Sequence, residues 1–423
     1  MLRLVYNALI YLAAPVAFAV QAWKGLRDPA YRDRLGERFG RTHVRTDRSV
    51  WVHAVSVGEV QAAAALIRAL AKQYADRDLI VTTGTPTGAQ RVQALFGSAV
   101  RHVYLPYDTP GAVRRFLDRI RPQVAIVMET EVWPNLFREC ARRRIPLIIA
   151  SARLSETSVR RYRWLAGLFR DALAHDIEIA AQTQQDAERF VSVGANPART
   201  HVVGNVKFDL EIDATTRERG RALRADLFPN REVWAAGSTH AGEEELVLEA
   251  HERLRERHPH ALLLLAPRHP QRFDQVKALL QSRSIEFVAR SSSSVLAPTT
   301  SVLLIDTLGE LMMFYSAADV AFVGGSLVPI GGHNLLEPAA LALPILTGPH
   351  NFNAPEIARA LFDCGGALEV RSSDELAAVV EKLFSDQAER TRVGSAAYEC
   401  VAKNRGALDR LLDVIARRIV DSR

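Results

Sequence analysis

Apolar runs of strand length alternate with helical patterns along this chain, and the alternation stops once and then restarts. In the first half the runs are Val50–Val55, Leu79–Thr83, His102–Leu105, Val124–Met128, Leu147–Ala150 and Ile177–Ala180. Segments of helical periodicity, such as Glu59–Tyr74 and Pro134–Arg144, lie between them. Near-continuous Val, Ile and Leu runs suit strands buried on both faces, and the intervening helices are the crossovers that parallel neighbours need. From about residue 206 to 231 the chain is polar and charged with no clear strand. The pattern resumes at Val233–Ala236, Ala261–Ala266, Val302–Ile305, Val320–Val323 and Ile345–Leu346, and a helical region runs from about Ser372 to the end. The expectation is an α/β protein of two Rossmann-like domains, residues 27–205 and 232–423, joined by a linker at 206–231 and facing a central cleft.

Charge divides along the same boundary. Residues 1–200 carry 29 Lys+Arg against 18 Asp+Glu, and residues 201–423 carry 25 against 30. A basic front half suits an anionic membrane surface or a phosphorylated substrate. The three cysteines, Cys140, Cys364 and Cys400, are scattered and without CxxC spacing, which argues against a disulfide framework or a zinc site.

The N-terminus points to a membrane. Leu4–Trp23 is apolar except at Asn7, Pro15 and Gln21, and Lys24, Arg27, Arg32 and Arg34 follow. About 20 apolar residues can span a bilayer, and the positive flank places the bulk of the protein in the cytoplasm. Residues 1–26 are therefore read as an uncleaved anchor, with an amphipathic helix lying in the interface as the alternative.

The densest chemical signal is Gly324-Gly325-Ser326-Leu327-Val328-Pro329-Ile330-Gly331-Gly332-His333-Asn334-Leu335-Leu336-Glu337-Pro338. The preceding run Ala317–Val323 reads as a buried strand and Asn334–Leu343 as a helix. Glycines at that junction would let backbone approach a phosphate, with free N–H groups favouring an anion, and Glu337 is suited to accepting both ribose hydroxyls. Three other strand ends in this half carry similar residues: Gly237–Glu243, Ala266-Pro267-Arg268-His269-Pro270 and Asp306–Leu311. Arg268 offers a fork of donors to a phosphate or a base carbonyl.

In the first half, Ser56-Val57-Gly58-Glu59 fits a capping box as well as a catalytic carboxylate, and spacing alone does not separate the two. A helix dipole favours the Glu59 anion, so that effect does not raise its pKa. Glu129 and Glu131, two residues apart at a strand end, point to the cleft or to a solvated loop. Lys207 by itself reads as a solvent-facing loop cation. Arg142, Arg143, Arg144, Arg153, Arg160, Arg161, Arg163 and Arg170, with Tyr162, Trp164, Leu165, Leu168 and Phe169 interleaved, suit an anionic bilayer surface or a charged helix with a buried face. The anchor favours lipid over nucleic acid. No GxxxxGK[ST], GxSxG, HExxH or suitably placed DxD pattern occurs, which leaves metal-independent chemistry as the expectation.

Over essentially its whole length the chain resembles the Kdo transferases (3-deoxy-D-manno-octulosonic acid transferases) of Gram-negative lipopolysaccharide assembly. The likeness rests on Ala30-Tyr31-Arg32, Ser56–Glu59, Thr85-Pro86-Thr87-Gly88, Leu105-Pro106-Tyr107-Asp108, Met128–Glu131 with Trp133-Pro134-Asn135, Pro267–Pro270 and Gly324–Glu337. It implies a GT-B fold with CMP-Kdo as co-substrate and no cofactor or metal. It also implies the tetraacylated, bisphosphorylated lipid A precursor as acceptor, at the cytoplasmic face of the inner membrane and in contact with its lipids. By that resemblance Glu59 is the general base, and Glu129 and Lys207 support the transition state. CMP contacts fall on Pro267, Arg268, His269, Leu308, Gly309, Glu310, Asn334, Leu335, Leu336 and Glu337. Leu308 stands where relatives carry Met, and Leu335 where some carry Pro; both read as backbone contacts. The competing readings are another GT-B nucleotide-sugar enzyme, such as a UDP-GlcNAc epimerase or lipid A disaccharide synthase, and a non-catalytic, membrane-attached binder of lipid A precursor.

Overall fold

The computed structural model describes residues 2–164, 167, 172–173, 176–210, 212–292 and 296–420. The chain forms two units, one of residues 1–209 with 405–423, the other of residues 210–404. Each holds a seven-stranded sheet whose pairings are all parallel.

In the first unit the strands are β1 (Ser49–His53), β2 (Asp78–Thr83), β3 (Arg101–Tyr104), β4 (Pro122–Met128), β5 (Leu147–Ala152), β6 (Ile177–Ala181) and β7 (Thr200–Val202). They lie in the order β3-β2-β1-β4-β5-β6-β7. The second unit has β8 (Val233–Thr239), β9 (Leu262–Pro267), β10 (Phe287–Ala289), β11 (Val302–Leu304), β12 (Val320–Val323), β13 (Ile345–Thr347) and β14 (Ala367–Glu369), ordered β10-β11-β9-β8-β12-β13-β14. Strand order reverses between β1 and β4 in one sheet and between β8 and β12 in the other. Loops leaving neighbouring strands toward opposite faces open a crevice there, at the carboxyl ends.

Alternate side chains fill the two faces of the first sheet. Trp51, Ile80, Ala125 and Val127 pack with Phe116 and Phe137 on one side. Val50, Val52, Val124 and Ile126 face the other, where Leu411, Val414, Ile415 and Ile419 cover them. Those four belong to the helix Ala407–Val420, so the last helix completes the first unit and is not part of a second domain running to residue 423. The Asp209 carboxylate accepts the Gly406 and Leu408 amides at 2.6 Å each, and Arg418 pairs with Asp176 and Glu178 at 2.5 and 3.2 Å. The expected linker is also more than a crossing. Its helix Ala214–Leu227 lies within the second unit, where Arg224 binds Asp319 at 2.9 Å.

The helix Leu2–Arg27 is long and apolar enough to cross a bilayer, yet it lies against the first unit. Tyr6 donates to Asp108 at 2.8 Å, the Asn135 amide donates to Asn7 at 2.8 Å, and Tyr107 donates to Gln21 at 2.9 Å. Phe18 meets Phe39 with ring centres 5.8 Å apart. Tyr6, Asn7, Phe18 and Gln21 share one face at helical spacing, so Asn7 and Gln21, which interrupt the apolar run, belong to the docking face. Leu4, Leu9, Leu12, Val16, Val20 and Trp23 are all exposed. Of the basic and aromatic cluster, Leu165, Leu168, Phe169 and Arg170 lie outside the described residues. Arg143, from the same cluster, is held by Glu139 and Asp118 at 2.9 Å each.

Candidate active site

At the switch point of the first sheet, the helix that follows β1 carries Glu59 and the loop after β4 carries Glu129. Ser56 caps the helix Val57–Ala62 and accepts the Glu59 amide at 3.5 Å, while the Glu59 carboxylate receives the Val55 amide at 2.8 Å. The Ser56 half of the capping box is therefore formed, and the Glu59 carboxylate reaches one residue past the cap, where Val55 holds one of its oxygens in place. The pKa of Glu59 is nonetheless pushed up to about 7: burial is the largest cause, and Glu129 and Glu131 add repulsion that Lys207 partly offsets. The dipole argument is outweighed by desolvation.

Glu129 has a left-handed backbone, φ 58°, which costs about 1–2 kcal/mol in a residue with a Cβ. Such strain gathers at functional loops. Lys207 Nζ lies 3.7 Å from Glu129 Oε1, and Arg153 Nε 3.6 Å from Oε2. Lys207 is thus in the carboxylate cluster and not a free loop cation. Burial raises the Glu131 carboxyl as well. In the sequence Arg153 falls only within a basic surface cluster, since contact between distant loops leaves no local signal. Asp108 was legible only as part of a motif. It is buried, accepts the Asn135 and Leu136 amides at 2.9 and 2.8 Å, and has its pKa raised by burial to about 6.

In the second unit the carboxyl ends of β8, β9, β11 and β12 gather the remaining residues. Pro267 ends β9, and the Arg268 amide donates to Thr239 at the end of β8 at 3.0 Å. Arg268 and His269 are exposed. Leu308 is 70% exposed in the turn that Gly309 makes with φ 83°. Glu310 is held by Arg290 at 3.1 Å and by the Thr307 hydroxyl, and the Arg290 hydrogen bond draws its pKa down. Asn334 donates to Glu337 at 3.1 Å and its side-chain oxygen accepts the Leu336 amide at 3.1 Å. Leu335 and Leu336 are buried. Burial raises the Glu337 carboxyl, Asn334 and Arg268 opposing.

The glycine-rich loop departs from expectation. β12 starts only at Val320, Ala317 ending the helix Leu311–Ala317, and the following helix is the five-residue Leu336–Ala340. Its first amides are taken up within the unit. Gly325, Ser326 and Leu327 donate to the Glu243 carboxylate at 2.7, 3.0 and 3.0 Å, and the His240 amide at 3.2 Å. Gly331 and Gly332 donate to the Gly325 carbonyl at 3.0 and 2.8 Å. A Cβ at Gly324 would lie 2.6 Å from the Ser238 carbonyl oxygen and 2.7 Å from Glu243, so the glycine makes room for that carboxylate. The loop instead presents His333, whose Nε2 lies 2.7 Å from Nε2 of His240.

Comparison with known proteins agrees with this division. Residues 33–210 match the family model described as 3-deoxy-D-manno-octulosonic-acid transferase (kdotransferase), and residues 239–400 match glycosyl transferases group 1. The chain is 41% identical over 419 residues to a 3-deoxy-D-manno-octulosonic acid transferase of Haemophilus influenzae, covering 98% of each. It is 39% identical over 391 residues to one of Bordetella pertussis, covering 89% of this chain and 90% of that one. Among solved structures, UDP-GlcNAc 2-epimerase from Neisseria meningitidis superposes with a TM-score of 0.57 at 15% identity, over 88% of this chain and 100% of that one. That likeness is one of fold, and the fold is GT-B. The sequence relationship is far closer and spans both units: the chain belongs to the 3-deoxy-D-manno-octulosonic acid transferase family of glycosyltransferases.

Proposed function

We propose that this protein moves Kdo from CMP-Kdo to the lipid A precursor lipid IVA, with inversion at the anomeric carbon and without a metal ion. The observation that carries the reading is the Glu59 carboxylate, raised to about 7 within a cluster of Glu129, Glu131 and Lys207. A base with that pKa is deprotonated in large part at neutral pH and still basic enough to take a proton. Glu59 accepts the proton of an acceptor sugar hydroxyl as its oxygen bonds to the anomeric carbon. The bond from that carbon to the phosphate oxygen breaks, and CMP leaves with the electron pair. Lys207, held by Glu129, supports the charge that develops. Arg268 of the second unit answers the negative charge on the departing phosphate, and Glu337 is suited to the ribose.

The same reading places the protein on the cytoplasmic face of the bacterial inner membrane, through the helix Leu2–Arg27. Its polar positions are bonded to the first unit near both ends, at Tyr6, Asn7 and Gln21, which favours a helix lying in the interface, apolar face toward lipid, over one that crosses. A protease site placed ahead of Leu2 should then be cut from the same side of sealed vesicles as the rest of the chain; cleavage only from the opposite side would establish a span.

The deciding experiment is incubation of the protein with lipid A precursor and CMP-Kdo in chelator, with products read by mass spectrometry. A gain of one or more Kdo units is expected, and that gain also counts the residues added. No gain from a folded, CMP-binding protein would remove this acceptor.

A further inference from the structure

Lys207 sits beside Glu129 although their strands are not neighbours. β7 is an edge strand of the first sheet, and β5 and β6 lie between it and β4. The chain reaches the cluster by turning back over the sheet, where Val203 and Val206 share one apolar cluster with Val124, Ala150 and Ala180. The ion pair alone does not hold Lys207 there. At 3.7 Å the ammonium is beyond hydrogen-bond reach of the carboxylate, so the fixing of its loop decides where it sits. Two residues after Lys207, at Asp209, the chain leaves for the second unit, and it returns at Arg405. A loop at such an exit needs an anchor.

The C-terminal segment supplies one on each side of Lys207. Upstream, Arg410 Nε donates to the Val203 carbonyl at 2.9 Å. Downstream, the two oxygens of Asp209 receive the Gly406 and Leu408 amides at 2.6 Å each. Between them Ala407 joins the apolar cluster that holds Val206. The approach is close: a Cβ at Gly204, where φ is 92°, would lie 3.1 Å from Arg410 Nη2 and 3.2 Å from the Ala407 Cβ. Inside the loop, Asn205 is buried, and its side-chain oxygen accepts the Lys207 amide at 3.0 Å to start the single turn Val206–Phe208. Charge-assisted bonds at both ends, with an apolar plug between, fix the backbone that carries the ammonium.

We propose that Arg410 and Asp209, with Asn205, are positioning residues for the transfer reaction, through which the C-terminal helix keeps Lys207 at the Glu129 carboxylate. The inference rests on the role of Lys207 in Kdo transfer proposed above. It gives the returning helix a part in the chemistry as well as in the core.

The test is a double-variant cycle on the full chain, with kcat/KM for Kdo transfer followed against pH. Glu59 is faced by Glu129 and Glu131 from the loop after β4 and by Lys207, and Arg153 pairs with Glu129. Arg410→Ala changes an exposed side chain, and should lower kcat/KM about tenfold or more and move the midpoint to higher pH, as loss of Lys207 does. In a Lys207→Ala background the same change should cost nothing further. Arg410→Lys, which keeps a donor for Val203, should recover most of the loss. An equal fold loss with and without Lys207, a loss with the midpoint unmoved, or full activity in Arg410→Ala overturns the proposal. Where Arg410→Ala lowers Tm as well, Asp209→Asn, which keeps one acceptor oxygen, is read in the same cycle, and an unmoved midpoint there overturns it. If the wild type transfers no Kdo, the function reading fails by itself. The clamp is then read by carboxyl-carbon NMR of Glu59, whose midpoint should rise in Arg410→Ala; a constant midpoint overturns the positioning.

Discussion

The Glu243 carboxylate receives the Gly325 amide at 2.7 Å, joining the loop after β8 to the loop after β12 with a charge-assisted bond. With the Ser326, Leu327 and His240 amides it makes four such contacts on a side chain that is fully buried. A buried carboxylate normally costs stability; here its cost is offset by the amides of a loop that would otherwise have no partners.

Glu243→Ala leaves those amides unpaired and should destabilise the second unit by about 3 kcal/mol or more, read as a drop in Tm. Glu243→Gln, which keeps one acceptor oxygen, should fall between. Gly324→Ala should resemble Glu243→Ala, since the added methyl meets backbone as well as the carboxylate. Wild-type stability in Glu243→Ala would mean the loop holds itself.

Glu59→Gln should lower Kdo transfer by about 10²-fold or more while leaving CMP affinity unchanged. Normal turnover in that variant would remove Glu59 as the base.

The pH dependence of kcat/KM follows from the direction of each neighbour. A base must be deprotonated, so activity should rise with pH through about 7 and then level off. Lys207 lowers the Glu59 pKa and Glu129 raises it. Residual activity of Lys207→Ala should therefore have its midpoint moved to higher pH, and that of Glu129→Gln to lower pH. Because burial raises this carboxyl above its unfolded value, its contribution to stability is present at low pH and lost as pH rises from about 4.5 to about 7. Glu59→Gln should flatten that part of the stability profile.

Leu12→Glu with Val16→Glu places two charges on the exposed apolar face of the N-terminal helix, away from Tyr6, Asn7 and Gln21. Partition onto anionic vesicles should fall about tenfold or more with Tm unchanged. Asp108→Ala acts from the other side: it removes the acceptor of Tyr6 and of two helix amides, and should cost about 1–3 kcal/mol.

Ile415→Ala should destabilise the first unit, not the second, by about 2–5 kcal/mol, read by hydrogen exchange in β4 and β6.

The strands legible in the sequence are those whose residues are buried on both faces. β1, β4, β8 and β12 read directly, and with them the reversal of strand order that locates both half-sites. β7, β10 and β14 are not legible, since each is a three-residue strand at a sheet edge, partly exposed and too short to give an apolar run of strand length. The helix Ala407–Val420 is legible as a helix, but its return to the first unit is not. Amphipathicity says that a face is buried, not which sheet buries it. At the site, the Gly324–Gly332 run is legible as glycine-rich, but the Glu243 carboxylate that Gly324 makes room for lies some 80 residues earlier, and a contact at that separation has no local pattern.

Synthesis runs from one end, and the covering of β1, β4 and β5 comes from the other. Until residue 419 has left the ribosome, Val50, Val52, Val124 and Ile126 have no Leu411, Val414, Ile415 or Ile419 to meet. The first unit is thus begun first and closed last, with a greasy sheet face waiting while the whole of residues 210–404 is made. A fragment stopped at Asp209 would carry that face uncovered for good, and its fate would be aggregation, not an independent domain.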